Sequence, residues 1–236
     1  MSNSSFIEVK TPADYSSLHD SKIVSVLQRL HAQSDQQKTA FLKPVMAMGV
    51  DKILGRKPSV EEEAARFKEL FIPLSPESGK FAYLTARSIG ARRIVEFGTS
   101  FGISTIYLAA AVRDNGGGIV IGSEIEPGKI VQAKENIAAA GLSDYVEIRP
   151  GDAQQSLSDP GGPVDLILLD GWKDLYLPML KILAPRLRPN AVVLADNIKT
   201  FPKALAPYVA FVQNARNGFD SVTLPLGAGI EYSVRL

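Results

Sequence analysis

The sequence predicts an α/β domain: a mostly parallel seven-stranded sheet with a C-terminal antiparallel hairpin, preceded by an N-terminal helical extension. Three observations predict it. From Arg92 onward, short β-branched runs alternate with amphipathic helical stretches, the pattern of a parallel sheet built from crossover units. Prolines and glycines fall where such helices start and stop, as at Pro127 and Gly141. The last two β-like runs are separated only by Leu226 to Gly229, too short for a crossover and suited to a hairpin.

Taken in order, strands are expected at Arg93–Phe97, Gly118–Glu124, Val146–Pro150, Val164–Asp170 and Ala191–Asp196, then at Ser221–Pro225 and Ile230–Leu236. Helices are expected over Gly102–Arg113, Pro127–Ala140, Ala153–Leu157, Leu175–Leu187 and Pro202–Asn217. Ahead of them, apolar residues at helical spacing run from Ser21 to about Leu54 (Ile23, Val26, Leu27, Leu30, then Phe41, Leu42, Val45, Met46), broken by Gln33 to Lys38 and by Pro44. Ser59 with Glu62 reads as a capping box, and Ser75 with Pro76 starts a helix running to Gly90. The division expected is an extension over 1–58 and the main domain over 59–236. Phe41, Phe67, Phe71 and Phe81 read as core, and His19 and His31 as surface or helix residues.

With no cysteine, zinc ribbons, iron–sulfur clusters and thiol nucleophiles are excluded. A net charge of +1 leaves no basic field for a phosphate backbone, so nucleic acid is not expected as a partner. No stretch reaches 18 apolar residues and Met1 to Ser17 lacks the apolar core of a signal peptide, so no membrane association is expected and the protein reads as cytoplasmic.

In open sheets ligands gather at the carboxyl ends of strands, and these ends carry the chemistry. The first strand runs into Glu96-Phe97-Gly98-Thr99-Ser100-Phe101-Gly102, where Gly98 and Gly102 allow close approach of a ligand, or simply a tight turn into the next helix. Ser100 and Ile103 stand where a dinucleotide fingerprint needs glycine, which argues against a nicotinamide cofactor. Glu124 ends the second strand, where an acidic residue accepts ribose hydroxyls; Glu126, just before Pro127, is equally well a helix cap. Gly151-Asp152-Ala153 lies where an adenine edge would fall, or caps a helix. Asp170 and Asp196-Asn197 end the fourth and fifth strands, and on neighbouring strands these oxygen donors suit Mg²⁺. Lys173, three residues past Asp170, is either a general base disfavoured as an ammonium by a nearby cation or a surface lysine paired with Asp174.

Glu96 to Gly102, Glu124, Asp170-Gly171-Trp172-Lys173-Asp174-Leu175-Tyr176-Leu177-Pro178 and Leu194-Ala195-Asp196-Asn197 together closely resemble the cation-dependent S-adenosylmethionine O-methyltransferases, which include the catechol and caffeoyl-CoA enzymes. The resemblance spans about Pro73 to Leu236. It implies a Rossmann-like class I methyltransferase fold, with S-adenosylmethionine as cofactor and Mg²⁺ or another divalent cation held by Asp170, Asp196 and Asn197. Lys173 is implied to take the proton of the reacting hydroxyl, and a small phenolic molecule is the implied substrate. Glu124 would bind the ribose, Gly98 and Ser104 would lie beside the methionine portion, Asp152 near adenine and Trp172 along the wall. Glu96, Gly102, Ala153 and Asp170 complete the implied cofactor set, and Leu74 matches the segment leading into the cofactor pocket.

The sequence departs from the family's bacterial and plant pattern at Ala228, where an acidic residue often stands, and Glu231 does not align with the animal substrate glutamate. In related enzymes the N-terminal helices cover the substrate or join two copies, so a homodimer is compatible with the sequence. A base-amino methyltransferase would need an Asn/Asp-Pro-Pro-aromatic motif, absent after the fourth strand. A short-chain oxidoreductase would need Tyr-x-x-x-Lys, whereas Tyr176 and Lys181 are five apart. A module that binds the nucleoside without turnover is the remaining rival.

Overall fold

The computed structural model describes residues 15–36, 55 and 74–236. The helical reading over 39–54, the capping box at Ser59 and Glu62, the core reading of Phe41, Phe67 and Phe71, and the boundary between 58 and 59 lie outside the described residues.

The described chain folds as α1 (Ser21–Gln36), α2 (Pro76–Ser88), β1 (Arg93–Phe97), α3 (Ile103–Asp114), β2 (Ile119–Glu124), α4 (Pro127–Ala139), β3 (Val146–Pro150), α5 (Ala153–Ser156), β4 (Val164–Leu169), α6 (Tyr176–Leu183), β5 (Leu187–Ala195), α7 (Pro202–Val212), β6 (Phe219–Leu224) and β7 (Ile230–Arg235). The strands form one seven-stranded sheet in the order β3-β2-β1-β4-β5-β7-β6. The first five pair in parallel, and β7 runs antiparallel to both β5 and β6, as the short final loop requires. The chain reverses its direction of travel across the sheet between β1 and β4, which is where an open α/β sheet opens a crevice.

Both faces of the sheet are covered, so its central strands are apolar throughout and alternate residues serve different cores. Ile94, Leu166, Leu168, Val192 and Leu194 pack under α1, α2, α3 and α4. Val95, Ile167, Leu169, Val193 and Ala195 pack against Met179, Leu180 and Leu183 of α6 and Leu205, Tyr208 and Val212 of α7. Helix α1 contributes Ile23, Val26, Leu27 and Leu30, one face of a helical wheel, to the first of these cores. Helix α3 is buried along its whole length from Ile103 to Val112, because α1 and α2 cover the side that would otherwise meet water. Gly79 of α2 permits that closeness: a Cβ there would sit 2.3 Å from the Tyr107 ring.

Two expected helices are shorter than their sequence pattern. The stretch from Lys173 to Arg186 is a 3-10 turn (Lys173–Leu175), α6, and a second 3-10 turn (Ala184–Arg186) in which Pro185 cannot continue the α-helical ladder. Helix α7 ends at Val212, and a 3-10 turn closed by Gly218 at φ +81° leads into β6. Strand β5 begins four residues earlier than expected, at Leu187 rather than Ala191.

Candidate active site

The parallel pairing brings the strand ends to one edge of the sheet. Phe97 lies opposite Ser123 of β2 and Leu169 of β4, and Leu169 lies opposite Ala195 of β5. Glu124, Gly98, Asp170 and Asp196 therefore stand side by side on four consecutive strand tips. Backbone bonds lock the tips: Asp170 N–H donates to the Phe97 carbonyl (2.9 Å) and Asp196 N–H to the Leu169 carbonyl (3.0 Å).

The β1–α3 turn is held in an unusual backbone path. Gly98 (φ +100°), Ser100 (φ +49°) and Gly102 (φ +87°) are all left-handed. A Cβ at Gly98 would lie 2.7 Å from the Asp170 carbonyl oxygen and 2.8 Å from the Gly171 Cα, so glycine is required for the β1 and β4 ends to meet. Gly102 caps α3 without a side chain, leaving the first N–H groups of that helix, Ser104 among its first residues, facing the turn. Glu96 is wholly buried beneath the turn, accepting from the hydroxyls of Thr99 (3.1 Å) and Thr105 (2.5 Å). Burial, with Glu124 nearby, pushes its carboxyl above the ordinary value. Glu96 thus props the turn from below.

Glu124 accepts from three backbone N–H groups, Ser100 (2.8 Å) on Oε2 and Ile125 (2.9 Å) and Glu126 (2.9 Å) on Oε1, which leaves a lone-pair position on Oε2 for a further donor. Glu126 caps α4 by accepting from Lys129 N–H (2.7 Å). Asp152 caps α5, accepting from Gln154 N–H (2.9 Å), and it follows the β3 tip, where Gly151 N–H bonds the Glu124 carbonyl (2.9 Å). Ala153 is buried just behind it, and Leu74 is buried immediately before α2.

On the other side of β1, Asp170, Lys173, Tyr176 and Asp196 form one cluster. Lys173 Nζ lies 3.6 Å from Asp170 Oδ1 and donates to the Tyr176 hydroxyl (2.9 Å), which donates to the Asp196 backbone carbonyl (3.3 Å). Asp174 is exposed, so the alternative pairing of Lys173 with Asp174 gives way to the partner at the strand tip. Burial drives the Lys173 ammonium below its ordinary value although Asp170 and Asp196 oppose the shift. Burial also pushes Asp170 well upward, Lys173 opposing and Asp196 adding repulsion, and raises Asp196. Asn197, at φ +68°, donates its side-chain N–H to Asp196 Oδ2 (2.9 Å), and Trp172 packs against the α6 and α7 core.

Tyr176, readable from the sequence as either core or site, is both. It is fully buried with edge contacts to Phe97 and Tyr208, and its hydroxyl holds Lys173. The signal available was its i, i+3 spacing from Lys173. Glu231 is buried between β6 and β7, accepting from Ser221 (2.6 Å), Gln213 (2.9 Å) and Thr223, and takes no part in the cluster. A cavity of about 270 Å³ lies away from the strand tips, between α1 and α4, lined by Arg29, Gln33, Gln132 and Asn136.

Among the described residues no three His, Asp or Glu side chains converge as metal ligands, so a cation at the tips would need the Asn197 amide oxygen as its third donor. The residues fit such an ion. Two buried carboxylates face one ammonium, Asp196 Oδ1 is buried without a hydrogen-bond partner, and the Asn197 N–H is already spent on Asp196, leaving its oxygen free to turn toward a cation.

Fold and site together define a Rossmann-like class I methyltransferase domain. Residues 95–198 match the family described as a methyltransferase domain. The chain is 37% identical over 131 residues to a catechol O-methyltransferase of Niastella koreensis, covering 54% of this chain and 58% of that protein. It is 36% identical over 128 residues to one of Mycobacterium tuberculosis, covering 54% and 57%. Its fold superposes on the O-methyltransferase from Bacillus cereus in complex with SAH, at a TM-score of 0.65 and 27% identity, covering 81% of this chain and 97% of that one. The matched segment thus spans a little over half the length of those two curated relatives. By sequence and by fold the chain is thus similar to O-methyltransferases, catechol O-methyltransferases among them. No helix among the described residues is long and apolar enough to cross a membrane.

Proposed function

We propose that the protein transfers a methyl group from S-adenosylmethionine to a hydroxyl of a small catechol-like or other vicinally oxygenated phenol, with Mg²⁺ or another divalent cation as partner. One observation carries this reading: Asp170, Lys173 and Asp196 meet on adjacent strand tips, with an unpartnered Asp196 oxygen, beside the turn that faces the uncapped end of α3. The names of the catechol O-methyltransferase relatives and the SAH in the Bacillus cereus structure support it.

In this reading the turn at Gly98–Gly102 and the first N–H groups of α3 receive the amino-acid end of the cofactor, and Glu124 accepts its ribose hydroxyls. Asp170, Asp196 and Asn197 would hold the cation, which when bound would supply Lewis-acid polarisation of the substrate hydroxyl. An ordinary phenol ionises near pH 10, about three units above neutrality. Lys173, deprived of solvent and anchored by the Tyr176 hydroxyl, accepts that proton at Nζ. Trp172 and the buried tips exclude water, and fixing nucleophile and donor in attack geometry contributes on the order of 7–11 kcal/mol.

The test is methyl transfer to a panel of catechols with and without EDTA. Chelation is expected to abolish turnover and added Mg²⁺ to restore it; full activity in EDTA removes the cation from the reading. Lys173→Ala is expected to retain SAH binding and lose about 10²–10⁴ in turnover, and an unchanged rate would reject Lys173 as the base.

A further inference from the structure

The left-handed residues of the Gly98–Gly102 turn, one of them Ser100, describe a backbone that persists only where its surroundings hold it. Bonds from within the sheet hold its first half: Thr99 N–H to the Ser123 carbonyl (3.0 Å) and Ser100 N–H to Glu124 (2.8 Å). Its second half is held from α4. Asn136 Nδ2 donates to the Phe101 carbonyl (2.9 Å), Lys129 Nζ lies 5.3 Å from the centre of the Phe101 ring, and Ala133 packs against Gly102. Lys129, Ala133 and Asn136 are spaced i, i+4, i+7 and so present one stripe of α4 to the turn.

Asn136 has a second partner outside the sheet. Its Oδ1 accepts from an Arg29 guanidinium N–H (2.8 Å), and Arg29 lies on α1. A guanidinium only donates, so Arg29 fixes which way the amide faces: oxygen toward α1, N–H₂ toward the Phe101 carbonyl.

We propose that Asn136, oriented by Arg29, is a positioning residue for the cofactor turn, so that helix α1 sets part of the affinity for the nucleoside cofactor. This rests on the methyltransferase reading and adds to it a route by which the N-terminal helical layer acts on the site. In this chain of contacts Arg29 acts through Asn136, and Asn136 through the Phe101 carbonyl.

The experiment is calorimetric titration of the full chain with SAH, for wild type, Arg29→Met, Asn136→Leu and the double variant. Asn136→Leu is expected to weaken binding about fivefold, the effect of one such hydrogen bond, and Arg29→Met about twofold. The double variant is expected to match Asn136→Leu alone, because the two residues act in series. Arg29 is exposed, so its variant is expected to melt at the wild-type temperature without ligand, which separates positioning from a loss of fold. If Asn136→Leu does not fold, Arg29→Met decides the matter by itself. Wild-type SAH affinity in Arg29→Met, or losses in the double variant that multiply, overturns the inference. A wild-type chain that binds no SAH overturns the methyltransferase reading and this inference with it.

Discussion

A buried carboxylate with an unsatisfied oxygen is costly unless something else compensates it. Asp196 is such a group: its Oδ1 has no partner and burial raises its carboxyl. Asp196→Asn keeps the shape and can still accept from Asn197, yet removes one charge from beside Asp170. The variant is expected to be more stable than wild type by about 0.5–2 kcal/mol in urea unfolding with EDTA present, while losing cation-dependent turnover. A less stable variant in EDTA would mean that the carboxylate serves the fold rather than the site. The meeting of Asp170, Lys173, Asp196 and Asn197 was legible because Asp170 and Asp196-Asn197 end two apolar strands that can be neighbours and Lys173 follows Asp170 by three residues, although each residue alone reads equally well as structural. The dual roles of Glu126 and Asp152 were open there, and the structure resolves their capping bonds because only coordinates tell which N–H a carboxylate faces. The anchoring of Lys173 by Tyr176 had only the i, i+3 spacing to signal it, since a tyrosine that fills a core and one whose hydroxyl accepts from a neighbouring lysine share a sequence pattern.

Among the elements, the β1–α3 turn is the one on which both halves of the site depend. Gly98→Ala forces a Cβ to within 3 Å of the β4 tip at a φ that alanine resists, so it is expected to cost about 1–3 kcal/mol and to weaken SAH binding. Matching urea midpoints for mutant and wild type would show that the two tips are less closely packed than described. The strands were legible because both faces of the sheet are buried and the β-branched runs are correspondingly plain. Helix ends around α6 and α7 were less so: a periodic apolar pattern continues through Pro185 and toward Gly218, but the backbone there can only make 3-10 turns. The complete burial of α3 was also illegible locally, because it is caused by α1 and α2, which are distant in sequence.

At the scale of the molecule, the N-terminal elements are built into the same core as the sheet. Asp114 at the end of α3 accepts from Ser17 N–H (2.8 Å) and the Tyr83 hydroxyl (2.7 Å), and Arg113 reaches Asp20 (3.1 Å), tying the start of the described chain to α2 and α3. The opposite edge of the sheet has its own tie. Burial would raise Asp165, but N–H bonds from Arg93 and Arg92 and the Arg188 guanidinium (2.5 Å) outweigh it and hold the carboxyl below its ordinary value of 3.8. A depressed carboxyl stabilises the fold above its ordinary range and ceases to as the pH falls through its folded value. Asp165→Asn should therefore unfold at lower urea than wild type at neutral pH, with the gap closing as the pH falls below the ordinary carboxylate range; a gap of constant width would remove Asp165 from the acid response. That a helical layer precedes the sheet was legible from spacing, whereas its link to the β1–α3 turn through Arg29 and Asn136 was not, since the two lie 107 positions apart. The register of β4 against β5 shifts between Val164 and Leu166, beside Asn190 at φ +61°, and is regular from Leu166 to the tips. The irregularity of this pair thus lies at the rim remote from the strand tips. A change of length in the loops of that rim can be taken up at the bulge before it reaches the strand tips, which leaves one side of this strand pair open to evolutionary tinkering while the other is held in alignment.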